Sequence, residues 1–448
     1  MTIHRSLATA TILTIAWPLV AAAQAAASLT VADAVALGLD HHPQVGIARA
    51  DATAARSALG MARAEWLPAL QVEATGTRFQ EPMIVAPLHE FDPTAPPQFN
   101  RTLLQSQWTL GYTVFDGGGR SARVARETAV LHAQESHRDA ARTEVIERVV
   151  TAYVDVVTTM EIDRAQHARG RALEAELTRA NQLFDEGRAA QVDVLRARAA
   201  TARARADRVR TMAAYERARA ELARQTGAPD SVIASATIGR VSEAGGLAGG
   251  RDEITRAAVA NNPRVARARH QLAAREAGVR VARAAWFPDL RFRGGINTFG
   301  SPDGGFTAEW QGSVAVSYPI FTGGRRSNAV GRANAEADAA AANVRAAELE
   351  VAHNVDRAVA ELDEQVAQRQ ALEEVLIYLR DVVRIEQLAL DVGTGVQTDY
   401  LQAESDLFDA RAGLARARRG VIAARLALAR LTGQLTPDWV TANLETEP

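Results

Sequence analysis

The sequence contains no cysteine and no lysine. Without cysteine the chain can form no disulfide bond, and it has no residue to carry the N-terminal lipid anchor of an exported lipoprotein, so we expect a protein that is not lipidated. Its 51 basic residues are all arginine, and 53 acidic residues bring the formal net charge to -2. A balance this close to neutral gives no support to nucleic-acid binding.

Long apolar runs are also scarce. The run LATATILTIAWPLVAAA follows Arg5 and is itself followed by the small residues QAAAS. This order is typical of a signal peptide, which we place at residues 1–27, with cleavage after about Ala23 or Ala27; it predicts export. No later run approaches the roughly 20 apolar residues that a membrane-spanning helix needs.

The chain contains an internal duplication, so that its two halves share one pattern. At an offset of 220 residues the Trp-x-Pro of the first half recurs, and further along an offset of 206 residues aligns YTVFDGG with YPIFTGG, FDEGRAAQVDVL with LDVGTGVQTDYL, and LARQTG with LARLTG. The change of offset indicates an insertion in the first half between residues 70 and 112. We therefore predict five segments after the repeat is taken into account: a signal peptide at 1–27, a first repeat at 28–230, a linker at 231–250, a second repeat at 251–436 and a C-terminal tail at 437–448.

Each half has the same predicted elements. A helix runs to the Trp-x-Pro, two strands follow, and a helical pattern of some 65 residues precedes a glycine break and another helix of about forty residues. The long helices are expected at about 120–185 and 326–391. The predicted strands lie at about 67–80, 103–115, 287–299 and 308–321.

The strands alternate apolar and polar residues. In QSQWTLGYTVF, for example, Trp108 and Leu110 alternate with Gln107 and Thr109. One such strand is best explained by a soluble sheet on a core. Four of them, in an exported chain whose remainder is helical, favour membrane strands whose polar face lines water. Four strands cannot close a barrel, so the chain must form oligomers; a trimer would supply twelve strands.

Aromatic residues gather at the helix-proximal ends of these strands, where an interfacial belt would require them. We predict this role for Trp66, Tyr112, Phe115, Trp286, Tyr318 and Phe321. Next to them lie the glycines Gly117, Gly118, Gly323 and Gly324. DGGGR suggests a phosphate-binding loop, but no Lys-Ser or Lys-Thr follows and the duplicate reads TGGRR. We interpret these glycines as joints between strand and helix.

The duplicated Trp-x-Pro, YxxFxGG, VGT…D and LTG signatures resemble the TolC-type outer-membrane factors over residues 29–436. The resemblance implies a mixed α+β membrane protein with duplicated halves. Four transmembrane strands per chain complete a twelve-stranded barrel in a homotrimer, and long antiparallel α-helices form a periplasmic tunnel. It further implies the outer membrane of a Gram-negative bacterium, and a passive exit duct of a tripartite efflux pump or type I secretion system. The implied partners are a periplasmic adaptor and an inner-membrane transporter of the RND, ABC or MFS type.

The resemblance also implies roles for residues at the glycine breaks. The turns would be periplasmic tips that meet the adaptor, formed by Gly187, Arg188, Gly393, Thr394 and Gly395. The periplasmic aperture would be lined by Asp399, Asp193 and Gln402. A ring of three Asp399 carboxylates would make the entrance mildly cation-selective; the alternative is that Asp399 only caps the following helix.

Candidate catalytic and metal sites are weak. His41 and His42 are adjacent, but their repeat partners are Asn261 and Asn262, which precede a proline, so a helix-start role is favoured over a metal site. No paired carboxylates or nucleophile motif recurs at catalytic spacing. We expect a protein that is not an enzyme and needs no cofactor. The remaining alternative to the channel is a soluble periplasmic coiled-coil scaffold, which the helices alone would allow.

Overall fold

A computed structural model describes residues 28–447, apart from 88, 90–92, 95 and 244–248. The predicted signal peptide therefore lies outside the described residues, as do the middle of the first inter-strand loop and part of the 231–250 linker. No helix in the described part is long and apolar enough to cross a bilayer.

The described chain is mainly helical. Alanine, arginine, leucine and glutamate dominate the long segments, and these are good helix formers. The helices are α1 (Val31–His41), α2 (Pro43–Ala64), α3 (Gly119–Asp185), α4 (Gln191–Thr226), α5 (Asp230–Ser235), α6 (Arg251–Asn261), α7 (Pro263–Ala284), α8 (Arg325–Asp391), α9 (Gln397–Leu431) and α10 (Pro437–Asn443).

Both halves start a helix in the same way. Asn262 accepts a hydrogen bond from the backbone N–H of Arg264 at 2.9 Å, and His42 Nδ1 accepts one from the N–H of Gln44 at 3.2 Å. A proline occupies the first helical position after each of these N-cap residues. His42 therefore acts at a helix start, as predicted, whereas His41 is the last residue of α1. No group of three or more metal-ligating side chains comes together among the described residues.

Among the described residues, eight strands form three sheets: β1 (Ser28–Leu29), β2 (Ala69–Ile84), β3 (Phe99–Phe115), β4 (Thr237–Ile238), β5 (Arg240–Glu243), β6 (Asp289–Gly300), β7 (Phe306–Ser317) and β8 (Leu444–Glu447). The main sheet is antiparallel with the order β2-β3-β6-β7. Its two hairpins share one register. Ala69 pairs with Gly111 in the first hairpin, and their repeat equivalents, Asp289 and Ser317, pair in the second. The halves thus meet between β3 and β6, while β2 and β7 form the outer edges.

The fourth predicted strand, 308–321, is too long at its end. β7 stops at Ser317. Pro319 has no backbone N–H to donate to a strand ladder, and the segment that contains Tyr318 and Phe321 leaves the sheet. Phe321 is 88% exposed in the single chain.

The largest core cluster lies at the middle of α3. Tyr153 is fully buried there; its hydroxyl donates to the carbonyl of Leu29 at 2.7 Å and accepts from the N–H of Gly239 at 3.1 Å. Parallel β1–β4 pairing and antiparallel β5–β8 pairing add the linker and the C-terminal segment to the same region. The cluster therefore fixes three distant parts of the chain around the waist of the long helices.

The long helices form two antiparallel hairpins, α3 with α4 and α8 with α9, and α3 also packs against α7 and α9. Within the second hairpin the buried residues include Leu376, Val383 and Leu390 from α8 with Tyr400 and Leu407 from α9. This regular spacing is the narrow apolar seam of helices that lie side by side.

Candidate functional sites at the strand–helix joints and helical tips

The strands pass into the long helices through left-handed glycines. Gly117 and Gly118 have φ angles of 64° and 82°, and Gly323 and Gly324 have φ angles of 58° and 79°. Residues with a Cβ adopt this conformation at a steric cost. At Gly117 a Cβ would also lie 2.6 Å from Phe287 Cβ and 2.7 Å from the Ala284 carbonyl oxygen. Glycine is therefore required at the first joint for both reasons.

An arginine closes the first joint. Arg120 is only 3% exposed, and its guanidinium carbon lies 4.4 Å from the ring centre of Trp66 and 5.8 Å from that of Tyr112. The guanidinium donates to the carbonyl oxygens of Glu65 and Val114 at 3.3 and 3.2 Å. The Glu65 carbonyl is at the C-cap of α2, and the Val114 carbonyl is at the end of β3. One side chain thus joins the incoming and outgoing segments of the sheet, which we call the arginine clamp.

The second half repeats the arginine clamp. The guanidinium carbon of Arg326 lies 4.6 Å from the Trp286 ring centre and 5.4 Å from that of Tyr318. It donates to the carbonyls of Ala285 and Ile320 at 3.5 and 3.4 Å. Four of the six predicted interfacial aromatics therefore hold an arginine, a role that the sequence analysis did not anticipate.

An acidic residue distinguishes the first joint from the second. Asp116 accepts hydrogen bonds from the backbone N–H of Arg120 at 2.7 Å and from the Arg123 guanidinium at 3.1 Å. Its equivalent in the second half is Thr322, which carries no charge. The remaining predicted interfacial aromatics, Phe115 and Phe321, lie exposed beside the joints.

The two glycine breaks form turns with the same backbone hydrogen-bond pattern. Gly187 and Gly393 have φ angles of 71° and 81°. In each turn the N–H of the next residue donates to the carbonyl five positions earlier. Arg188 donates to Leu183 at 2.8 Å, and Thr394 donates to Ala389 at 2.9 Å. Gly395 has little room, because a Cβ there would lie 2.8 Å from the Ala389 carbonyl carbon. Both turns are exposed at the ends of their hairpins.

The predicted aperture residues lie just beyond these turns. Asp399 is exposed in the first turn of α9, whose N-cap is Val396, and no side chain caps that helix. The side chain of Asp399 instead accepts a hydrogen bond from Thr398 Oγ1 at 3.3 Å. The structure therefore gives no support to capping as its role. Asp193 occupies the equivalent place in α4 and lies 3.6 Å from Arg196, while Gln402 donates to Asp406 at 2.7 Å.

Polar contacts join the two hairpins close to the tips. Arg179 of α3 donates to the carbonyl of Leu390 and lies 3.6 Å from Asp391. Glu176, which is 5% exposed, accepts from Gln397 at 2.8 Å. These contacts bind the first hairpin of the chain to the turn of the second.

Sequence reasoning missed both the arginine clamps and the polar contacts between the two helical hairpins. The clamps left a signal, because Arg120 and Arg326 coincide at the 206-residue offset. The hairpin contacts left none, because the repeat partners of Glu176 and Arg179 are Val382 and Ile385. Only the packing of the helices identifies them.

Comparison with known proteins agrees with this architecture. The sequence model of the family described as "Outer membrane efflux protein" matches residues 34–228 and 254–434, one segment in each repeat. The chain is 24% identical over 341 residues to the outer membrane efflux protein BepC of Brucella suis, covering 73% of this chain and 72% of that protein. It is 25% identical over 327 residues to the outer membrane protein TolC of Vibrio cholerae, covering 71% and 74%.

Solved structures show the same fold. The outer membrane protein VceC of Vibrio cholerae superposes with a TM-score of 0.76 at 19% identity, covering 90% of this chain and 96% of that chain. The predicted mixed α+β class, with duplicated halves and a four-stranded sheet continuous with a long helical tunnel, is confirmed. The chain belongs to the outer membrane efflux protein family, and it functions as an outer-membrane efflux channel.

Proposed function

We propose that three copies of the chain form a passive duct across the outer membrane and periplasm, the exit of a tripartite efflux pump or a type I secretion system. The observation that carries this proposal is the contact between the two halves. β3 of the first half pairs with β6 of the second, and α3 packs on α7. Within the part of the chain that the structure describes, the equivalent strands β7 and β2 are not paired with each other, and α8 has no comparable packing on α2.

A second copy would satisfy both edges. By the repeat offsets, the pair Gly111 and Arg293 corresponds to Ser317 of one copy and Glu73 of the next. An open sheet edge is costly in a bilayer, where no water can satisfy its backbone groups. Repetition of this contact around an axis closes the sheet, and three copies supply the twelve strands expected for the family.

The helices support the same arrangement. α8 and its C-cap expose an apolar stripe at heptad spacing, with Tyr378 at 62%, Ile385 at 54% and the C-cap Val392 at 66% exposure. α4 exposes Val192 and Leu195, at 47% and 54%, on the helix that would face this stripe in the neighbouring copy. Burial of apolar surface of this kind favours association.

Cross-linking tests the trimer, because the chain contains no native cysteine. The double variant Ser317→Cys with Glu73→Cys should give a reducible trimer after mild oxidation, since directly opposite residues have Cβ atoms about 4.5–5.5 Å apart. The matched control combines Ser317→Cys with Val72→Cys. The side chain at position 72 points to the other face of the sheet, so this variant should remain monomeric on a denaturing gel. Dimers only, or equal cross-linking of both variants, would contradict the proposed register.

At the tips, we propose the roles given by the family resemblance. The exposed turns at Gly187, Arg188, Gly393, Thr394 and Gly395 would contact a periplasmic adaptor. Asp399, with Asp193 and Gln402, would line the aperture, and an inner-membrane transporter would supply the substrate. Membership of a channel family favours a role without catalysis. A soluble scaffold would purify without detergent, whereas the proposed duct fractionates with the outer membrane.

A further inference from the structure

Strand β6 carries two arginines on the polar face of the sheet, Arg291 and Arg293. Pairing places Gly111 of β3 and Ser313 of β7 directly beside Arg293. Since alternate residues of a strand share a face, the neighbours of Arg293 along β6 are Arg291 and Gly295. None of these four neighbours is acidic, so Arg293 has no carboxylate beside it on its own face.

The two arginines differ in their contacts. Arg291 Nε lies 2.7 Å from a carboxylate oxygen of Asp289. Arg293 is exposed, and among the described residues it makes no hydrogen bond or ion pair. A guanidinium offers five N–H donors in a planar fork that suits carboxylate and phosphate groups. Arg293 is thus an unpaired anion-binding group on a central strand of the described sheet.

There is space for a ligand at this position. A Cβ added to Gly111 would meet nothing within 4 Å. Arg293 and Arg291 line a cavity of about 690 Å³ with Gly111 and Thr113, where the strands meet the long helices. Three carboxylates also line it, each already paired with an arginine: Glu65, Asp116 and Asp289. Cavities of about 300–1,000 Å³ are typical of small-molecule sites. The hydroxyls of Thr113, which pairs with Arg291, and of Ser313 add neutral donors around the arginines.

We propose that Arg293, with Arg291, Thr113 and Ser313, binds the carboxylate, sulfonate or phosphate group of small anionic solutes. This inference rests on the proposed function, because it takes the polar face of the sheet to line the passage. β3 and β6 are the two central strands, so each chain holds a complete site and a trimer holds three at one level. The site lies about 13 Å from the start of β6, at the helix-proximal end of the strands.

Calorimetric titration of inorganic pyrophosphate into the detergent-solubilised full chain tests binding without requiring conductance. We expect binding by the wild type and an affinity about tenfold lower or more in Arg293→Gln, since a hydrogen bond from a charged donor is worth about 1.5–3 kcal/mol. Gly111→Asp should weaken binding similarly, because its carboxylate would occupy Arg293. Arg78→Gln removes the same charge from the opposite face, where Arg78 donates to Thr102 at 3.1 Å, and should bind like the wild type.

Equal pyrophosphate affinity in the wild type and Arg293→Gln, or no binding by the wild type, would overturn the site. Bilayer recordings separate this result from failure of the duct. A conducting wild type whose current pyrophosphate reduces, with the reduction lost in Arg293→Gln, supports both proposals. A wild type that binds pyrophosphate but never conducts supports the site and refutes the duct.

Discussion

Replacement of Arg120 by alanine should loosen the joint between β3 and α3. The side chain is 3% exposed and stands over the Trp66 ring at 4.4 Å. A desolvated cation–π contact contributes about 2 kcal/mol, and each hydrogen bond from the guanidinium to a carbonyl contributes about 1.5–3 kcal/mol. The cost of burying the charge offsets part of this sum. We therefore expect Arg120→Ala to lower the free energy of local opening by about 3 kcal/mol.

Hydrogen exchange of the solubilised trimer measures this opening. A loss of about 3 kcal/mol corresponds to a fall of about a hundredfold in amide protection, which should be confined to the residues around Val114 and the start of α3. Arg326→Ala should act similarly at the second joint, with a smaller effect, because Thr322 replaces Asp116, whose carboxylate lies 3.8 Å from Arg120 Nε in the first joint. The control is Arg332→Ala, whose side chain is 81% exposed and makes a single ion pair of 3.7 Å. Unchanged protection in Arg120→Ala would refute the clamp.

Three further variants test the helical tips and the α9 seam. Gly393→Ala, at a φ of 81°, should lower the melting temperature through a local cost of about 1–2 kcal/mol, whereas Gly170→Ala inside α3, where a Cβ meets nothing within 4 Å, should not. Asp399→Ala should move the reversal potential in a KCl gradient towards zero; an unchanged potential would contradict the acidic ring. Burial raises the pKa of the Glu404 carboxyl, against the opposing effect of nearby arginines and a tyrosine hydroxyl. The folded state holds that proton more tightly than the unfolded state, so the free energy of unfolding falls as the pH rises above the ordinary pKa of a glutamate. Glu404→Gln should therefore melt at a higher temperature than the wild type at neutral pH. The difference should vanish as the pH falls towards about 4, and Glu364→Gln, at an exposed position, is the matched control.

The long elements could be predicted because their signals are repeated and local. Helices expected at 120–185 and 326–391 occupy Gly119–Asp185 and Arg325–Asp391. Glycine breaks and helix-forming composition act within a few residues of the boundary, so the sequence carries them directly. The end of β7 was misplaced because apolar alternation continues through Pro319, although proline cannot donate to the ladder.

The contacts that join distant parts of the chain could not be predicted in the same way. Arg120 required the knowledge that a helix end and a strand end converge on one side chain. Glu176 and Arg179 reach a turn more than two hundred residues away, and their partners include a backbone carbonyl that has no sequence signature. Interactions of this kind depend on the packing of helices rather than on any local pattern.

Single-channel recording of the purified full-length protein in a planar bilayer tests the central claim most directly. The proposed duct predicts that protein extracted from the outer membrane in detergent inserts as a trimer and gives stable ion conductance. The passage would be lined by the polar face of the sheet, so the conductance should persist without any added transporter. A protein that purifies without detergent and gives no conductance would contradict the account.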